Sequence, residues 1–130
     1  MASTALVMGV CAFAPTQANA QGSNESKILL LQSKPKATAV VRAAGQSENP
    51  RERLAALEAV QHAPDVAFEL ARKGLGDENP AVRFGALVTV GKLQLNRLGD
   101  AALDLMRDEN ESVRAAALFA AKQCGKEVNL

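Results

Sequence analysis

Tryptophan and tyrosine do not occur in this chain of 130 residues, phenylalanine occurs four times and histidine once. The stacking platforms of single-strand nucleic-acid binders and the usual aromatic anchors of sugar sites are therefore nearly missing. His62 has no second histidine to share a metal with, and no nucleophile relay can be built around more than this one imidazole. Neither sign of charge is in excess, with 15 Lys and Arg against 14 Asp and Glu, a net +1. No global field draws the chain to nucleic acid, an anionic membrane or an acidic substrate. The apolar run from Ala5 to Ala14 spans about ten residues, where a bilayer needs about twenty, so stable membrane insertion is not expected.

What is present begins with a separate N-terminal text. Residues 1–20 carry no charge and close on Ala18-Asn19-Ala20 before Gln21, the small-x-small pattern of a signal-peptide cleavage site. They read as a signal peptide on an exported protein, periplasmic or extracellular. The basic start of such a signal is missing, since the first Lys or Arg is Lys27, which suggests a displaced or trimmed N-terminus. Cys11 raises lipid anchoring as an alternative, against which stands Val10 where a small residue is normal. Ala12-Phe13-Ala14-Pro15 raises plastid routing. A cut after Ala20 leaves Cys124 without a partner, a small buried hydrophobe near a helix end rather than a disulfide or a reactive thiol.

Downstream the chain repeats itself. "ENPRERLAALEAVQ" from Glu48, "ENPAVRFGALVTVG" from Glu78 and "ENESVRAAALFAAK" from Glu109 stand thirty and then thirty-one residues apart. Asn49, Asn79 and Asn110 open the copies; Arg53, Arg83 and Arg114 follow at one offset; Ala56, Ala86 and Ala117 precede Leu57, Leu87 and Leu118. Each Asn suits an N-cap, and Pro50 or Pro80 suits the first helical position, where no N–H is missed. The first helix of each copy is called A. A second helix, B, follows: one from Asp65 to the stop at Gly74 and Gly76, one from about Leu98 to Arg107, with a helix A from about Pro80 to Leu93 between them. Residues 35–44 read as a preceding B helix. Residues 21–33 read as linker and degenerate cap, and 34–130 as the repeat domain. No unit can bury its apolar face alone, so the units must stack.

Over roughly Lys34 to Gly125 this pattern resembles HEAT repeats, in the short variety of about thirty residues seen in many bacterial proteins and in phycobilisome lyases. The resemblance implies an all-α solenoid of stacked antiparallel helical hairpins. It also implies an Asp before helix A and an Arg within it, set side by side in successive units as a hydrogen-bonded ladder. Asp77 with Arg83 and Asp108 with Arg114 match that pattern, while Ser47 stands where the first unit's Asp should be. In such solenoids the B helices line the concave side, which places Glu69, Arg72, Lys73, Asp100 and Asp104 on a mixed-charge shelf suited to a protein partner. These five are assigned by helical phase, not by a motif.

No residue in the repeats rises to catalysis, cofactor or metal binding. The three Arg fit a ladder better than a phosphate stripe, because acidic residues crowd the same helix ends. Asp100 and Asp104, one turn apart, have no convergent third group and read as a solvated helix face. Gly74-Leu75-Gly76 follows a helix instead of a strand and reads as a helix stop. His62 reads as ending helix A of the first unit. The expected function is a non-catalytic protein-binding scaffold; the alternative is an accessory or lyase-like protein acting on a chromophore-carrying protein, with little aromatic material to hold a tetrapyrrole. At the C-terminal side the third unit has a helix A and no B helix. The array is therefore expected to be unfinished, with Leu118 and Phe119 short of cover and self-association through the uncapped end.

Overall fold

The computed structural model describes residues 33–128. The signal peptide and most of the linker expected at residues 1–32 lie outside the described residues. Helix α1 covers residues 33–44, followed by α2 (Pro50–Ala59), α3 (Pro64–Leu75), α4 (Pro80–Lys92), α5 (Gly99–Asp104) and α6 (Glu111–Gln123). Among the described residues there is no strand, and the chain is an all-α solenoid of stacked hairpins.

Each helix A starts as its sequence dictates. The Oδ1 atoms of Asn49, Asn79 and Asn110 accept from the backbone N–H of Arg51, Ala81 and Ser112 at 3.0, 2.9 and 3.0 Å. These bonds satisfy donors that the first turn of a helix leaves open. At the other end, α4 and α6 stop through one residue in the left-handed region, Gln94 at φ 48° and Gly125 at φ 71°. The N–H of Leu95 then reaches Val90 O and that of Lys126 reaches Ala121 O, at 3.0 and 2.9 Å, the six-residue closure of a Schellman motif. Gly125 takes that conformation without a Cβ penalty, and Gln94 does not.

The later B helix is less regular than its apolar spacing suggests, whereas α3 is one continuous α-helix. The helix expected from about Leu98 to Arg107 is α-helical only over Gly99–Asp104, between tighter 3-10 turns at Asn96–Leu98 and Leu105–Arg107. Another such turn, Val60–His62, continues α2 to the His62 end expected for it. None of these has a side-chain cap.

Helix α4 packs between α2 and α6, while α3 lies on α4 and α5 on α6. The units of α2 and α4 thus each bury an apolar face on the unit that follows. Leu57, Val60, Val66, Val82, Leu87, Val90 and Val113 form the core with alanines. Small residues bring the helices close: a Cβ on Gly74 would lie 2.9 Å from Ala86 Cβ and 3.1 Å from Leu57 Cδ1. Cys124 is buried at the end of α6, as expected.

Candidate protein-binding surfaces

The Arg column is the first place to look for accessible charge, and most of it is consumed by the fold. Arg53 donates Nε and Nη2 to Asp77 Oδ2 and Oδ1 at 2.7 and 2.8 Å. Arg83 does the same to Asp108 at 2.8 and 2.9 Å. The rungs therefore run between successive units, each joining an Arg to the Asp of the next, and they include Arg53 beside Asp77, Arg83 and Asp108. Both partners of each rung are nearly enclosed, with side-chain exposures of 11 and 7% in the first and 10 and 6% in the second. Each Arg also holds its own loop: Nη1 of Arg83 donates to Asp77 O and Glu78 O at 2.9 and 3.1 Å. Ser47 takes over one duty of the missing Asp, because its Oγ accepts the N–H of Asn49 at 3.1 Å, as Asp77 Oδ1 accepts that of Asn79 at 2.9 Å.

The electrostatics follow. Hydrogen bonds from Arg83 hold the Asp108 carboxyl below the usual carboxylate range, against the upward pull of its burial. For Asp77, burial pushes upward most strongly of the single influences, yet the bonds from Arg53 and from the Asn79 N–H together outweigh it, and the carboxyl is also lowered. The Cys124 thiol is pushed up by burial, partly offset by Lys126, which disfavours the reactive thiolate.

The five shelf residues are all exposed and lie on α3 and α5. Three of the five are engaged by a neighbour: Glu69 pairs with Arg42 at 3.5 Å, Lys73 Nζ donates to Gly45 O at 3.4 Å, and Asp100 pairs with Lys126 at 2.7 Å. Asp104 lines a shallow cavity of about 450 Å³ with Leu103, Met106, Arg107, Glu127 and Val128. Among the described residues no group of three or more His, Cys, Asp and Glu side chains could hold a metal ion, and no helix is long and apolar enough to cross a membrane.

A second surface was missed in the sequence. Between α2 and α4 lies an open, largely apolar groove of about 450 Å³, walled by Leu54, Leu57, Phe84 and Val88, with Glu58 on the α2 side and Lys92 on the α4 side. Phe84 is 41% exposed. The groove exists because the two inter-unit gaps are filled differently. Phe119 packs onto α4 against Gly91, so that a Cβ at Gly91 would collide with its ring. Its counterpart in the preceding unit is the smaller Val88, and Gln61 stands in the column of Gly91. The aligned columns held this signal, in the change from Val88 to Phe119.

A family model described as HEAT repeats matches residues 37–122. No curated protein and no solved structure matches the chain.

Proposed function

The chain belongs to the HEAT-repeat family, and from that premise we propose that it is a non-catalytic protein-binding scaffold whose α2/α4 groove receives an amphipathic helix of a partner protein. The observation that supports this reading is the groove itself. Its walls are apolar, its length follows two neighbouring helices, and a large aromatic side chain stands in it partly exposed. Covering such a side chain is worth about 1.5–3 kcal/mol for full burial, and an inserted helix covers several at once. Glu58 and Lys92 have opposite signs, so the partner helix carries a basic flank toward α2 and an acidic flank toward α4. The protein reaches this partner after export, with residues 1–20 removed.

The test is capture of partners from extracts of the source cell by the wild-type chain, by Phe84→Glu and by a combined Glu69→Ala, Arg72→Ala, Lys73→Ala variant, each first checked for native helicity. Loss of a captured protein with Phe84→Glu alone supports the groove. Loss with the α3 variant alone moves the contact to the mixed-charge shelf. A visible absorption shift on adding a linear tetrapyrrole, with no protein captured, would instead support the lyase-like class.

A further inference from the structure

The two walls of the α2/α4 groove are built from the same columns of the repeat and filled unequally. Leu54 on α2 and Phe84 on α4 stand thirty residues apart, as do Glu58 and Val88. In a stacked array such pairs lie side by side at one level along their helices. Phe84 stands 41% exposed, while Leu54 is half-buried and leans into the space over Gly85, where a Cβ would lie 2.5 Å from its Cδ1. At this level the α4 wall is therefore high and the α2 wall low.

Charge is divided across the groove in the same way. Glu58 on the α2 wall and Lys92 on the α4 wall are both exposed, and among the described residues neither has an ion-pair partner. Lys92 lies four residues beyond the level of Glu58, about 6 Å along the helix, a distance that a lysine side chain spans. A surface of this kind is complementary to itself. A two-fold axis laid along the groove exchanges the two walls and keeps the level, so the high wall of each copy meets the low wall of the other, and each Glu58 meets a Lys92.

We propose that the groove is the interface of a two-fold symmetric dimer, in which Phe84 of one copy fills the low wall over Leu54 of the other and Glu58 of one pairs with Lys92 of the other. This rests on the reading of the groove as a protein-binding surface and names its occupant. A second copy brings α4 over α2 and α2 over α4, and so presents the basic flank to α2 and the acidic flank to α4 that the groove requires. Every contact occurs twice, which doubles the effect of each side chain on the association.

The test is analytical ultracentrifugation of the full chain over a micromolar concentration series. Wild type is compared with Phe84→Glu, Glu58→Lys, Lys92→Glu and the double Glu58→Lys, Lys92→Glu variant, each first checked for native helicity. The wild type should form a dimer and Phe84→Glu should be monomeric. Either single reversal sets like charges against each other at two contacts and should weaken the dimer about tenfold or more. The double reversal should recover it, and so should mixing the two single variants, because opposite charges then face each other again. A monomeric wild type overturns the dimer; if that monomer still captures a protein through Phe84, the groove stands as a site for a different protein. A dimer that Phe84→Glu leaves intact, with no protein captured through Phe84, overturns both readings. Single reversals that neither the double variant nor the mixture rescues overturn the two-fold pairing.

Discussion

Arg83 and Arg114 occupy the same column of the repeat, so sequence position alone predicts the same effect from replacing either with alanine. The tertiary structure predicts different ones. Arg83 is 8% exposed and donates four hydrogen bonds, two of them to a carboxylate that is itself 6% exposed. Arg83→Ala leaves Asp108 enclosed with only the N–H of Asn110 as a strong donor, at 2.9 Å. Breaking a buried pair by removing one partner costs about 3–5 kcal/mol. Arg114 is exposed and donates to two loop carbonyls that water can serve in its place, so Arg114→Ala costs below about 1 kcal/mol. Against a total stability on the order of 5–15 kcal/mol, the first loss moves the unfolding midpoint by a molar unit or more of urea and the second hardly moves it. The assay is urea unfolding followed by far-ultraviolet circular dichroism at neutral pH, with the slopes compared, since a stacked array can shed an end unit before the rest. Equal midpoint losses for the two variants would refute the reasoning, because they would mean that the Asp108 carboxylate contributes nothing beyond the loop bonds.

Further outcomes follow from the same contacts. Asp77 and Asp108 are lowered in the folded state, so between their folded values and the ordinary carboxylate value near 4 the unfolded chain holds more protons. Stability is therefore full above that value and falls as pH drops through the folded values, and Asp108→Asn should flatten this acid limb in a pH series of denaturant midpoints. Gln94→Gly should stabilise by about 1 kcal/mol by relieving a left-handed residue that has a Cβ, seen as a raised thermal midpoint. Gly74→Ala drives a methyl against Ala86 Cβ, which only a movement of α4 can relieve, and should cost about 1–3 kcal/mol. Gly85→Ala meets the end of the Leu54 side chain, which can swing into the groove, so this variant should hold or gain stability while narrowing the groove. In an export-competent host, intact-mass measurement should find a mature chain beginning at Gln21; a chain retaining residues 1–20 would remove the export reading.

Much of the architecture was legible because its signals are local. Asn49, Asn79 and Asn110 mark where helices start whatever lies beside them, since a cap bond spans two residues. The recurrence at thirty and thirty-one residues then implies stacking, because a two-helix unit has too little surface to bury alone. The later B helix was less legible. Asn96–Arg107 carries helical spacing without a capping side chain at its start, and the packed structure resolves it into a short α-helix between two tighter turns. The shelf residues were placed on their exposed helices by phase, but phase cannot show that Asp100 is held by Lys126 or Lys73 by the loop at Gly45.

The sequence by itself determined the helical hairpins, their period and the near-neutral surface, because caps, apolar spacing and charge balance are properties of neighbouring residues. Only the tertiary structure decided which Asp each Arg serves, which inter-unit gap stays open as a groove, and that Arg83 is enclosed while Arg114 is exposed. These depend on what the adjacent unit places within three or four ångströms. Identical columns in a repeat cannot encode that difference, because the same residue type is enclosed between two units and exposed where no further unit lies over it.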